Sequence, residues 1–490
     1  MTFPLLSLIV FVPAAGAVVL TPLRKDEVVR WVALGFTLLD VLLAVAVLAS
    51  FDTSSHDMQF VERRPWVPAL GINYAFGIDG ISALFVFLTT LLGSVSVLAS
   101  WVAIDRKVKA FMISLLAMQA LMLGVFLALD LFLFYVFWEA MLIPMYLIIG
   151  VWGGEGRVYA AFKFFLYTLA GSVLFLVGVI VLYFSGGKTF DILVLMTQHL
   201  PFATQSWLFF AFLIAFAVKV PMVPLHTWLP DAHVQAPTAG SIILAGVLLK
   251  MGAYGFLRFS LPMLPEASVY YSTLMMALSA LAVVYGGLLA LAQDDFKKLV
   301  AYSSISHMGF VTLGIFALNL RGLEGSILQM FNHGVTTGAL FLFVGLIYER
   351  THSRSIGDYG GLMKVAPIYT GFLALFVLSS MALPGTNSFV GELLVLSGGF
   401  AANLIIGAAS IPGALLGAAY LLGMYRKVAL GPADVGHRFK VRDVNSREMV
   451  AILPLAGFVL WVGFYPKPFL SIIDTSVMHL LEQVHGKGGP

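Results

Sequence analysis

The chain has no cysteine among its 490 residues and little charge, with Asp, Glu, Lys and Arg making up only 11%. The first absence excludes a disulfide and a cysteine-ligated iron–sulfur cluster. The second argues against a soluble protein. Two nucleotide-binding signatures are missing as well, the glycine-rich turn of a dinucleotide fold and the phosphate loop of an NTPase. Energy for any work must therefore arrive from outside the chain. Short strands of alternating polarity, the mark of a transmembrane barrel, are also missing.

What is present is apolar length. Hydrophobic residues make up 60% of the sequence, and its mean hydropathy is +0.96. A helix needs roughly 20 apolar residues to cross a bilayer core, and such runs recur from end to end. The pattern predicts an all-α polytopic membrane protein of about fourteen spans. Their approximate limits are 3–22, 29–50, 79–102, 111–129, 131–151, 158–184, 206–228, 236–260, 269–291, 297–319, 325–348, 365–399, 402–425 and 448–466. The run 365–399 is too long for one straight helix, and Pro384-Gly385 interrupts it. The first run has no basic residues before it and no small-residue cleavage site, so it reads as a retained helix.

Basic residues fix an expected orientation. With the N-terminus outside, nineteen of the 28 Lys and Arg fall in inner loops and seven on the outer side, leaving Lys219 and Lys250 within the membrane. Both termini are then expected outside, in the periplasm if the cell is bacterial.

Ionisable residues stranded in these runs are the candidate functional groups. Between Val365 and Tyr425 the only charge is Glu392, and Glu139, Lys219 and Lys250 are isolated in the same way. A charge at mid-bilayer costs several kcal/mol and is rarely kept without a task. His307 and His333 join them, since imidazole can both take and give a proton near neutral pH. Lysine can snorkel to a headgroup, which is the bland reading for Lys250 and the favoured one for Lys163. A histidine among Ser303, Ser304 and Ser306 can equally be a bonded core residue, as can a lone carboxylate such as Glu139. His226 and His233 flank Pro230 without a metal-ligand spacing.

Glu139 precedes Lys219 by 80 residues and His307 precedes Glu392 by 85, each second residue lying on a proline-broken span. Inverted repeats with paired broken helices are a common architecture for an ion site at mid-membrane depth. Separating a carboxylate from a lysine by a few ångströms changes their interaction by several kcal/mol, enough to drive a proton along the row.

Several stretches carry a closer resemblance: FYVFWEAMLIPMYLIIGVWGG (134–154), YAAFKFFLYTLAGS (159–172), KVPMVPLHTWLPDAHVQAPTAGSIILAGVLLKMGAYGFLRF (219–259), DDFKKLVAYSSISHMGF (294–310) and FNHGVTTGALFLFVGLIYER (331–350). In these the chain resembles the subunit M, or chain 4, family of respiratory complex I (NADH–quinone oxidoreductase). The resemblance implies a fourteen-helix antiporter-like fold, with spans 4–8 and 9–13 as inverted repeats and helices 7 and 12 broken. The segments follow as 1–110 (helices 1–3), 111–260 (first repeat), 261–430 (second repeat) and 431–490 (basic inner loop and helix 14). It implies Glu139 as the partner of Lys219, a central axis of Lys250, His307 and His333, and Glu392 as the exit residue.

It also implies no cofactor in this chain, with NADH, FMN, iron–sulfur clusters and quinone held by other subunits. The implied partners are complex I subunits, above all the sisters L and N, together with lipid and protons but not nucleic acid. The implied setting is a bacterial inner membrane. Two rivals stay open: a subunit of a multisubunit cation/proton antiporter, and a scaffold whose charges only lock helices together.

Overall fold

A computed structural model describes residues 4–431 and 441–488. Among these, twelve helices are long and apolar enough to cross a membrane. The apolar helix Leu5–Leu20 and the half-helix pair Pro367–Ser380 and Asn387–Ala402 supply two further crossings, making the expected fourteen. Arg438 and Lys440 of the expected basic inner loop lie outside the described residues.

Helices that are apolar on every side belong at the centre of a bundle. Thr238–Met263 and Leu320–Thr351 are buried through their apolar stretches, and Gly80–Ala103 and Phe296–Phe316 nearly so, whereas Asp26–Ala49 and Leu404–Ala429 show most of their surface outward. The inner four form the core, and two of the candidate residues lie on the first pair.

Both expected breaks are present. Helix Phe202–Lys219 stops at Lys219, and the chain resumes as Trp228–Gln235 after a turn containing Pro221 and Pro224. Prolines supply no amide hydrogen, so carbonyls one turn back are left free. The Trp228 indole N–H satisfies one of them, donating to the Val218 carbonyl at 2.8 Å. The second break separates Ser380 from Asn387, where the run 365–399 had been expected to bend.

Two elements were not expected. A hairpin pairs Gln59–Val67 with Ile72–Ile78 in antiparallel register, and Gly71 takes the left-handed conformation (φ 68°) that closes its turn. Glu62 on this hairpin accepts from the Leu6 amide at 2.7 Å, capping the first helix. A last helix, Lys467–Gly488, straps the face that carries both chain ends. Thr475 donates to the Thr53 carbonyl at 2.8 Å and His485 meets the Leu318 carbonyl at 3.1 Å. Its buried residues Ile473, Val477, Leu480 and Val484 repeat at helical spacing, so it lies on the bundle without crossing it.

Candidate functional site

Four of the six expected residues form one row across the core, hydrogen-bonded at each end and joined in the middle by a ring contact. Lys250 is fully buried, and its ammonium lies 2.6 Å from Nδ1 of His333 on the facing helix. The rings of His333 and His307 stand 5.7 Å apart between centroids. His307 Nδ1 then meets Glu392 Oε1 at 3.1 Å, and its Nε2 meets the Ser380 hydroxyl at 3.2 Å. Gln329 donates to the same Glu392 oxygen at 3.1 Å. Four helices each lend one charged or titratable group, and all four groups are nearly closed to solvent.

Local backbone irregularity makes this row possible. Just before Lys250 the helix loosens into a π-helical turn, Leu244–Leu248, a feature that often marks functional sites. The Lys250 ammonium turns back to the Ala245 carbonyl at 2.5 Å. At the other end, the broken crossing exposes Ser379, Ser380 and Asn387 to the core. Asn387 accepts from Ser379 at 2.5 Å and its carbonyl accepts from Asn332 at 2.8 Å.

Lys219 and Glu139 make up the remaining pair, and they do not touch. Lys219 ends its half-helix, where the negative end of the helix dipole favours a cation. Its ammonium is buried without a hydrogen-bond partner and lies 4.7 Å above the Trp138 ring. Glu139 is half-buried, with Tyr135 and Ser172 beside its carboxyl and Lys219 within electrostatic reach. Lys219 and the Lys250 helix are in close contact, since a Cβ on Gly252 would stand 3.0 Å from the Lys219 Cβ.

Other residues depart from their sequence reading. Lys163 does not snorkel: it donates to Asp231 at 2.7 Å, tying its helix to Trp228–Gln235. His226 packs edge-on against Tyr285, while His233 stacks on Phe341 at 4.5 Å with both ring nitrogens unpartnered. Lys297 had been counted in an inner loop, yet it is buried and donates to the Ala236 carbonyl at 2.5 Å. It lines a cavity of about 430 Å³ shared with Gln235, Glu349 and Arg354, on the face opposite the chain ends. His233 lies within electrostatic reach of both Lys297 and Lys250, and the next residues along the chain, Val234 to Ala236, line the cavity. The unsatisfied ring of His233 is a signal the sequence could not carry.

The profile of the NADH:quinone oxidoreductase/Mrp antiporter transmembrane family matches residues 128–417. NADH-quinone oxidoreductase subunit M of Rhodobacter capsulatus is 48% identical, covering 99% of this chain and 98% of that protein. This chain belongs to the subunit M, or chain 4, family.

Other relatives of the subunit M family agree. NADH-ubiquinone oxidoreductase chain 4 of Arabidopsis thaliana is 45% identical over 98% of this chain and 97% of its own. A chain of respiratory complex I from Thermus thermophilus with bound NADH superposes with a TM-score of 0.90 at 33% identity, covering 99% of this chain and all of that one. A chain of the Mrp complex from Dietzia sp. shares the fold, with a TM-score of 0.86 at 21% identity and full coverage of both chains.

Proposed function

We propose that protons cross this subunit of NADH:quinone oxidoreductase along Glu139, Lys219, Lys250, His333, His307 and Glu392, driven by electron transfer in partner subunits. The observation that carries this reading is the row from Lys250 to Glu392: a hydrogen bond at each end and two imidazole rings 5.7 Å apart between them. Lysine, histidine and carboxylate can each hold and release a proton, and each neighbour's charge changes the cost of holding it. Glu139 and Lys219 supply the variable part. They are near enough to interact and far enough apart that a small movement changes the interaction. Movement of charge at Glu139 would load or empty the row with no bond chemistry on this chain.

The cavity beside Lys297 serves as the inlet, and His233 as the step from there to Lys250. NADH, FMN, iron–sulfur clusters and quinone belong to partner subunits, and the sisters L and N are the expected neighbours. The membrane is the bacterial plasma membrane, with the face bearing the chain ends outward. Residues 111–260 and 261–430 act as the two halves of the pump, between helices 1–3 (1–110) and the closing segment 431–490.

The test is Lys219→Ala in the intact complex, reconstituted in vesicles with a pH-sensitive dye. NADH-driven quinone reduction should persist in the assembled complex while protons moved per electron fall. Equal stoichiometry in wild type and variant would rule the reading out.

A further inference from the structure

A vestibule of about 120 Å³ opens on the face carrying the chain ends, walled in part by His56, Ser476, His479 and Gln483. Arg258 and Asp79 line its depths, joined at 2.5 Å and almost wholly buried. Asp79 also caps helix Gly80–Ala103, accepting from the Ser82 amide at 3.1 Å. Arg258 reaches the other way, donating from Nε to the Tyr254 hydroxyl at 3.1 Å. That hydroxyl donates to the Phe126 carbonyl at 3.2 Å.

Residues 250, 254 and 258 are spaced one turn apart on one helix, so they lie over one another on the same face. The helix widens into a second π-helical turn at Phe256–Ser260, and Arg258 on it still reaches Tyr254. The lysine at the centre of the proton row therefore stands two turns from a wet vestibule, with Tyr254 between them. None of the proposed proton steps uses this column. A hydroxyl passes a proton only if it accepts on one side and donates on the other. Tyr254 accepts from a guanidinium, which cannot give its proton up, and donates to a backbone carbonyl, which leads nowhere. The guanidinium presents only donors to Tyr254, so it cannot accept a proton arriving from the Lys250 side, and the Asp79 carboxylate holds it in place. The Lys250 ammonium itself points away from Arg258, toward Ala245.

We propose that Arg258, steadied by Asp79, is a seal that stops protons on the central row from escaping to, or returning from, this vestibule. It is a positioning residue that acts by excluding protons rather than carrying them. The proposal rests on the reading of Lys250 as part of the proton row.

The test is passive proton flow into vesicles holding the complete complex without NADH, acidified on the vestibule side. Arg258→Ala should leak severalfold faster than wild type, and adding Lys250→Met should abolish the excess. Asp79→Asn keeps the helix cap and an oxygen for the guanidinium to donate to, and should leak much less than Arg258→Ala. An ion pair serving only as glue would make the Asp79 and Arg258 variants equally harmful. A tight Arg258→Ala complex overturns the seal. So does a leak that survives Lys250→Met, whereas the proton row itself is judged separately by pumping per electron in Lys219→Ala. Should Arg258→Ala fail to assemble, Ser476→Asp keeps the arginine but sets a second carboxylate beside Gly80, whose amide Ser476 now accepts at 3.0 Å. Pulling the guanidinium off Tyr254 should open the same Lys250-dependent leak, and its absence overturns the proposal.

Discussion

Lys250 and His333 face each other at 2.6 Å with no carboxylate between them. A hydrogen bond between two nitrogens needs one to donate and the other to accept, so the pair does not hold two excess protons. Two full charges about 4 Å apart would repel by about 4 kcal/mol at an effective dielectric near 20. Whichever side gains a proton makes a second one on its neighbour costly, so the middle of the row carries protons one at a time.

Lys250→Arg separates a relay from a scaffold. Arginine keeps the charge and most of the length but does not deprotonate in proteins. A scaffold tolerates it. A relay is blocked: the assembled complex should reduce quinone with protons pumped per electron well below wild type. Pumping at the wild-type ratio would remove Lys250 from the path.

Glu392→Gln preserves shape and an oxygen for Gln329 but gives His307 an uncharged neighbour. Pumping per electron should drop severalfold, while Glu392→Asp retains part of it. The two variants are compared in the same vesicle assay. A Gln variant that pumps as well as wild type counts against Glu392 as a proton carrier.

Much of this was legible in the residues, for identifiable reasons. Lys219, Lys250 and Glu392 stand out because a bilayer makes an isolated charge expensive. The two breaks follow from Pro221, Pro224 and Pro384. What stayed hidden was amphipathic or three-dimensional. Helix Lys467–Gly488 is too polar for a hydropathy search, although Ile473, Val477, Leu480 and Val484 repeat at helical spacing. The hairpin's first strand is largely exposed and polar, and its buried second strand, Ile72–Ile78, is too short to stand out in a hydropathy search. Lys297 was counted among the inner-loop cations, at the very start of the run 297–319, yet folding carries it under Ala236. Lys163 looked like a snorkeller because its partner Asp231 is 68 residues away.

Asp130 offers a pH test outside the spans. Burial pushes its carboxyl up to about 6, outweighing the lowering by backbone N–H groups of Asn73, Leu133 and Phe132, and nearby Asp191 adds to the rise. Between about pH 4 and pH 6 the folded chain holds a proton that the unfolded chain has lost, so stability falls as pH rises through that window. Asp130→Asn can still cap helix Leu131–Ala140 but cannot ionise. Its melting temperature should gain on wild type from pH 4 to 6 and then run parallel. A constant difference across that window would refute the assignment.

Gly252 tests the packing between the two lysine-bearing helices. A methyl there would stand 2.8 Å from the Phe216 carbonyl and from Val220, and 3.0 Å from the Lys219 Cβ. Such overpacking costs about 1–3 kcal/mol. Gly252→Ala should therefore lower the melting temperature of the complex and also its pumping per electron, because relief moves Lys219. Lower stability with intact pumping would mean that the position of Lys219 does not matter.

Lys297 and His233 test the inlet as a series path. Lys297 lines the cavity on the face opposite the chain ends, and His233 precedes its lining residues Val234 to Ala236, with two unpartnered ring nitrogens. If protons pass one after the other, removing either residue interrupts the same route. Lys297→Met and His233→Asn should each lower pumping per electron, and the double variant should be no worse than the more damaged single. Losses at independent sites add, whereas losses along one shared route do not. The comparison needs all three variants in the assembled complex, measured at matched rates of NADH oxidation. Additive losses would assign the two residues to separate routes. Wild-type pumping in Lys297→Met would mean that protons reach Lys250 by another way.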